Sequence, residues 1–202
     1  MPSAAGSPTT KTARVGVLGL QGDFAEHLHT LREIGAEAVD VRRPQQLDDI
    51  DALIIPGGES TTIGKLAERY EIIPKLRERI ADGMPVWGTC AGAIFIAKDV
   101  PGHPHPILGA MDISVERNAF GRQLDSFEAD LDIRELGTAP YHAVFIRAPK
   151  ITKTADSVRT IAALGDGTIV AARQGELLAT SFHPELTRDD RFHRYFLTFG
   201  RT

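Results

Sequence analysis

The only cysteine of the chain, Cys90, sits in Gly88-Thr89-Cys90-Ala91-Gly92, a G-x-C-x-G pattern. An apolar run precedes it and a helical pattern follows. In an α/β sheet this pattern makes a nucleophile elbow, a sharp strand-to-helix turn that lifts the central side chain above the carboxyl edge of the sheet. Small residues are needed on both sides because neighbouring backbone comes close. The N-terminus of the following helix carries partial positive charge and free N–H groups, which favour a thiolate and can stabilise an oxyanion. The alternative is a buried, inert thiol; the flanking glycines and the strand–helix junction favour the nucleophile.

A nucleophilic cysteine needs a base, and the base needs a residue to orient it. Seven histidines are available. His183 stands out: it ends an apolar strand in "TSFHPEL", followed by Pro184 and Glu185. In extended backbone, residues two apart point the same way, so Glu185 is placed to hold the His183 imidazole. The result is a Cys90–His183–Glu185 triad in the chain order nucleophile, base, orienter. His27 and His29 fall in the first helix, where surface or partial burial is expected. His142 and His193 read as structural. His103 and His105 form H-x-H, but no cysteine or carboxylate cluster accompanies them at ligand spacing, so no metal site is expected.

The elements that must position these residues follow from periodicity. "RVGVLGL" is a buried first strand, and a helix over "DFAEHLHTLREIG" starts at Asp23 as N-cap and stops at Gly35. "AEAVDVRR" and "DALIIPGG" are strands. Ser60–Tyr70 and Ile72–Ala81 are helical, and "MPVWGT" is a fourth strand. Strands alternating with helices imply βαβ units and a doubly wound parallel sheet. In the second half, "ILGAMDISVERN", "FEADLDI", "HAVFIRAP", "TIAALG", "TIVAARQG" and "ELLATSFHPEL" read as short antiparallel or mixed strands added to the same sheet. "DDRFHRYFLTF" is a closing amphipathic helix.

The 202 residues suit one domain, and 42% hydrophobic with 25% charged residues is an ordinary globular balance. A net charge of -4 argues against a nucleic-acid surface. No apolar run approaches the roughly 20 residues that span a bilayer, so no membrane role is expected. One cysteine forms no internal disulfide, and "MPSAAGSPTTKTA" has no apolar h-region; a cytoplasmic protein is the expectation. Residues 1–13 read as a disordered tail and 14–202 as a single domain.

With the elbow and H-P-E in view, the sequence resembles the class I (triad) glutamine amidotransferases, which also carry a "PGG" turn after an earlier strand, here Pro56-Gly57-Gly58. "GVLGLQGDFAEH", "PGGESTT", "GTCAGAIFIAK", "ERNAFGRQLDSFEADL", "VFIRAP" and "SFHPELT" together resemble the glutaminase subunits of pyridoxal phosphate synthases. The similarity runs from Arg14 to the last helix. It implies a flavodoxin-like three-layer α/β sandwich around a mostly parallel or mixed sheet. It implies that Cys90 attacks the carboxamide of glutamine, that His183 moves the protons and that Glu185 orients His183. Backbone N–H groups of Gly57 or Gly58 and of Ala91 are the implied oxyanion hole. Gly58, Glu59, Ser60, Arg117, Ile146 and Arg147 are the implied glutamine contacts. The chain carries no phosphate-binding glycine loop and no second domain to use ammonia. The resemblance therefore implies a partner, a (β/α)-barrel synthase of pyridoxal 5'-phosphate carrying twelve glutaminases on a dodecameric ring. Docking is expected through "LQGDFAEH", and no cofactor is expected.

Three other readings stay open at this stage. The glutaminase of another amidotransferase, such as imidazole-glycerol-phosphate synthase, is disfavoured by "ERNAFGRQLDSFE". A non-catalytic regulatory subunit is disfavoured by the intact Cys90, His183 and Glu185. A cysteine peptidase or thiol-stress protein is disfavoured by the late H-P-E and the "PGGES" turn.

Overall fold

The computed structural model describes residues 12–117 and 126–200. Eleven of the thirteen residues read as a tail, 1–11, lie outside that range, as do residues 118–125 of the "ERNAFGRQLDSFE" segment.

The first half is the expected alternation. It runs β1 (Arg14–Leu18), α1 (Phe24–Glu33), β2 (Glu37–Val41), β3 (Ala52–Ile55), α2 (Ser60–Arg69), α3 (Ile72–Ala81), β4 (Val86–Thr89) and α4 (Ala91–Ile96). Helix α1 ends where Gly35 takes φ 85°, a left-handed conformation that favours glycine. Asp23 holds the N-cap position of α1, but its side chain makes no capping bond. Helix α4 lasts only six residues, shorter than "AGAIFIAK" suggests, because Ala97 turns extended and begins β5 (Ala97–Asp99).

The second half supplies β6 (Met111–Glu116), β7 (Ser126–Leu131), β8 (Tyr141–Ile146), β9 (Lys150–Thr154), β10 (Arg159–Ala163), β11 (Ile169–Gln174), β12 (Leu177–Thr180) and α5 (Arg191–Phe196). Ten strands form one sheet in the order β2-β1-β3-β4-β12-β11-β9-β6-β5, with β10 also on β11. Pairing is parallel from β2 through β12 and antiparallel from β12 through β6. The fold is therefore a mixed α/β sandwich. One expectation is corrected: β7 and β8 do not join this sheet but form a separate antiparallel ribbon. The reason lies in β8, where Tyr141, Ala143 and Phe145 alternate with more exposed residues. That apolar row packs on Phe182 and Phe192 over one face of the main sheet. Strand β9 gives little signal in sequence, since "KITKT" has one apolar residue, the buried Ile151.

Alternation along β3 separates the two cores. Leu53 and Ile55 face the layer of α2, α3 and α4, whereas Ala52 and Ile54 face α1, α5 and the ribbon. The second core also holds two fully buried histidines, His27 on α1 and His193 on α5. For His27 this overturns the expected surface or partly buried position. His142, read as structural, is exposed, where Asp130 and Glu128 hold it 2.9 and 2.8 Å away. No helix among the described residues is long and apolar enough to cross a membrane.

The buried pair predicts a pH response. Burial pushes His193 down from 6.5 to about 4, and Asp190 only partly opposes this. Burial, reinforced by His193 and His183, also holds His27 well below its ordinary value. An unfolded chain therefore takes up protons below 6.5 that the folded chain refuses, so stability is lost as the pH is lowered through that window. His193 alone gives a loss of about 2 kcal/mol between pH 6.5 and 4.5. His183, whose folded value is raised, contributes the opposite sign, but below 6.5 its contribution is already nearly complete. Chemical denaturation at the two pH values checks this; equal stability at both would contradict it.

Candidate active site

Strands β4 and β12 are parallel neighbours with Thr89 beside Thr180. Both chains therefore leave the sheet at the same carboxyl edge. Cys90 follows one strand and His183 follows the other, which brings residues 93 positions apart into side-chain contact. The topology, with β12 inserted next to β4, is what makes the pair possible.

Cys90 takes φ 47° and ψ -104°, outside the usual regions for a residue with a Cβ. Such a conformation costs roughly 1–3 kcal/mol and persists only when its surroundings hold it. Here the Cys90 N–H donates to the Thr180 carbonyl (2.8 Å), and its own carbonyl accepts from Ala93 and Ile94. The glycines on each side permit this turn to pack. A Cβ on Gly92 would lie 2.0 Å from the Ile55 carbonyl oxygen, and one on Gly88 would lie 2.5 Å from the Gly92 backbone. The sulfur faces the Ile146 carbonyl at 3.9 Å.

His183 is fixed by its backbone N–H, which donates to Val144 O on β8 (2.9 Å). The separate ribbon thus braces the base. Its Nδ1 lies 2.7 Å from Glu185 Oε1, with both residues buried. Glu185 thus lies against the ring, but the geometry is not that of an extended strand. His183 precedes a 3-10 turn, Pro184–Leu186, and that turn brings Glu185 back under the ring. Burial would lower the imidazole's pKa, but Cys90 and Glu185 outweigh it and raise His183 to about 10. This favours an imidazolium beside the sulfur.

A cleft of about 440 Å³ opens over the sulfur. Gly58, Glu59, Ser60, Ala91, Arg117, Ile146 and Arg147 line it with Cys90 and His183, while Glu185 sits behind His183. The wall also includes Asp23, Ile94 and Leu186, which sequence reasoning did not assign to the site. Asp23 is the important addition: its Oδ2 lies 3.5 Å from His183 Nδ1. In sequence it reads as an N-cap within the "LQGDFAEH" segment expected to dock the partner.

Glu59 caps α2, accepting from Thr61 N (3.0 Å), Thr62 N (2.7 Å) and Thr62 Oγ1 (2.8 Å). Burial opposes ionisation, but these bonds prevail and hold the carboxyl at about 2. Glu59 Oε1 is 3.5 Å from Arg117 Nη2, and Arg117 Nη1 is 3.1 Å from His103 Nδ1. Burial and the nearby guanidinium lower the pKa of His103, which suits a neutral ring accepting from Arg117. One histidine of H-x-H thus serves the cleft through an arginine, a role its sequence did not suggest. Arg147, with φ 46°, is a second non-glycine residue at the cleft in the left-handed region. The "LQGD" loop closes on the "PGG" turn, where Gln21 Oε1 accepts from Glu59 N (2.7 Å) and Gly57 O accepts from Asp23 N (3.2 Å).

Comparison with known proteins agrees with this arrangement at the level of family and fold. The sequence is 58% identical over 186 residues to the pyridoxal 5'-phosphate synthase subunit PdxT of Herpetosiphon aurantiacus, covering 91% of this chain and 98% of that protein. It is also 58% identical to the PdxT subunit of Pelotomaculum thermopropionicum, covering 91% of this chain and 93% of that protein. A crystal structure of a glutamine amidotransferase superposes with a TM-score of 0.86 at 53% identity, covering 91% of this chain and 97% of that one. A putative GMP synthase subunit from Thermoplasma acidophilum, at 19% identity and a TM-score of 0.67, shares the fold. Residues 17–199 match the SNO glutamine amidotransferase family, so the strand-end cysteine, the H-P-E turn and nearly the whole described chain lie within that match, and the chain belongs to that family.

Proposed function

We propose that this chain is the glutaminase subunit of a pyridoxal 5'-phosphate synthase, hydrolysing L-glutamine to L-glutamate and ammonia for a partner synthase. The observation that carries the reading is the arrangement at the shared edge of β4 and β12. A strained cysteine meets an imidazole whose other nitrogen is 2.7 Å from a buried carboxylate.

In this mechanism the Cys90 thiolate attacks the side-chain carboxamide carbon of glutamine. The carbonyl oxygen takes up negative charge and is met by backbone N–H groups of Ala91 and of Gly58 (or Gly57). One such donor contributes about 2.7–4 kcal/mol at the transition state. The imidazolium of His183 gives a proton to the departing nitrogen, the C–N bond breaks, and ammonia leaves a γ-glutamyl thioester on Cys90. Water, deprotonated by His183, attacks the thioester; the C–S bond breaks and glutamate departs with the thiolate restored. Glu185 holds the His183 ring throughout. Ser60, Arg117, Ile146 and Arg147 would hold the amino-acid end of glutamine together with Glu59, whose carboxylate stays charged at any physiological pH. No step calls for a metal or cofactor.

Ammonia is useful only where an acceptor receives it before it escapes. The names of the PdxT relatives, subunits of a pyridoxal 5'-phosphate synthase, support a synthase subunit as that acceptor. The family resemblance adds that this partner is a (β/α) barrel carrying twelve glutaminases on a dodecameric ring, and we place the complex in the cytoplasm. The test is glutamate release from glutamine with and without that synthase. The docked chain is expected to turn over faster than the free one, with C–N bond cleavage coupled to pyridoxal 5'-phosphate formation. Equal rates in both states would count against a partner-gated site, and no glutamate in either state would end the reading.

A further inference from the structure

Behind the triad, on the side away from the cleft, lies a row of buried imidazoles that the mechanism above does not use. His27 Nδ1 is 2.9 Å from His193 Nε2. His27 Nε2 is 3.3 Å from Thr89 Oγ1 and also 3.3 Å from Glu185 Oε2. The Glu185 carboxylate has one oxygen committed to His183. Its other oxygen, Oε2, is buried and makes no hydrogen bond among the described residues. A buried carboxylate oxygen without a donor is costly, and the nearby polar hydrogen source is the His27 ring.

The hydrogen-bond network sets the tautomers. If His27 carried its proton on Nδ1, its Nε2 lone pair would face the Glu185 oxygen, and His193 Nδ1, which is buried with no partner, would be an orphaned donor. With His193 Nε2–H donating to His27 Nδ1, both conflicts vanish. The protonated His27 Nε2 then lies 3.3 Å from both Thr89 Oγ1 and Glu185 Oε2, and the unpartnered His193 nitrogen is only an acceptor. Neutrality matters here. A cationic His27 would compete with His183 for the same carboxylate, and burial keeps both rear imidazoles neutral near pH 7. Burial also pushes the Glu185 carboxyl up, and the bond to His183 opposes it.

We propose that His27 is a positioning residue of the triad: held by His193, it presents Nε2–H to the free oxygen of Glu185 and keeps that carboxylate ionised and aimed at His183. The inference rests on the triad reading of the preceding section. The groups that face His27 are Thr89 and Trp87 from β4, His183 and Glu185 from the turn after β12, and His193 from α5. Asp23 acts on Glu185 and Asp190 on His193 from farther off.

The test compares wild type, His27→Leu, His27→Gln and Cys90→Ala as full-length chains docked on the barrel synthase, by glutamate release across pH. His27→Leu should lower kcat about 10- to 100-fold, the scale of one hydrogen bond to a charged group, with KM for glutamine within about twofold. The alkaline limb, set by loss of the His183 proton, should move down by roughly one pH unit. His27→Gln, whose amide still donates, should recover most of both. Nitrogen-15 NMR of His183 should report the same fall in its titration point without any turnover. Native kcat and an unmoved His183 titration in His27→Leu would overturn the proposal. So would equal losses in the Leu and Gln variants with the alkaline limb unmoved, since that pattern marks a packing role alone. An inactive Cys90→Ala beside a native His27→Leu removes this inference and leaves the triad standing; an active Cys90→Ala removes the triad itself.

Discussion

Replacing Cys90 with alanine is expected to lower glutamine hydrolysis by roughly 10⁴-fold or more while leaving the fold and the docking of the synthase intact. The magnitude follows from the role. A nucleophile that carries the covalent intermediate has no substitute in the cleft, and removing one member of such a unit costs nearly as much as removing all. The substitution is also gentle on structure. Cys90 is 6% exposed, so the cavity left by the sulfur opens onto the cleft and water can fill it. Alanine still has to hold φ 47°, but cysteine carries a Cβ there too, so the backbone strain is unchanged. Glutamate release, synthase co-purification and thermal unfolding of the variant check the three parts. Retained turnover would remove the covalent mechanism.

The second large effect is on folding. Gly92→Ala should destabilise the chain by about 3 kcal/mol or more, although alanine is the better helix former by roughly 1 kcal/mol. Sterics decides against propensity here. Gly92 is the second residue of α4, and a Cβ would lie 2.0 Å from the Ile55 carbonyl oxygen at the end of β3, backbone that the sheet prevents from yielding. Relief requires α4 to move off the sheet, which also displaces Cys90 at its start. Urea unfolding of Gly92→Ala beside Gly83→Ala separates this contact from loss of glycine in general. A Cβ at Gly83 meets nothing within 4 Å, so that variant carries only the strain of φ 90°. A Gly92→Ala chain as stable as wild type would mean that the elbow is looser than these distances require.

The half of the fold built from βαβ units was legible because each element there carries its own signal. "ALII" is too apolar and too short to be anything but a buried strand, and Gly35 ends α1 where the pattern stops. The second half was legible as strands but not as a topology. Alternation along "YHAVFI" shows one apolar face without saying what covers it, and that face was filled by Phe182 and Phe192 from later in the chain. Cys90, His183 and Glu185 could be picked as candidates from turn chemistry and residue type. Their meeting could not, because it depends on β12 inserting beside β4, a pairing no local pattern encodes. His27 was misplaced for a related reason. Its ring leaves α1 on the buried face, but only the arrival of His193 and Glu185 gives that polar ring partners. Asp23 reads as a cap because aspartate at that position usually is one; its carboxylate instead faces His183 at 3.5 Å.

Under the proposed function, the Cys90 sulfur is held reactive by His183 inside a cleft that takes glutamine. The most direct measurement is covalent labelling of the protein with a chloroketone analogue of glutamine, read by peptide mass spectrometry and repeated with glutamine present and with His183→Asn. One label per chain is expected, on Cys90, blocked by glutamine and strongly slowed by the substitution. Labelling that ignores glutamine, or that proceeds as fast without the imidazole, would contradict it.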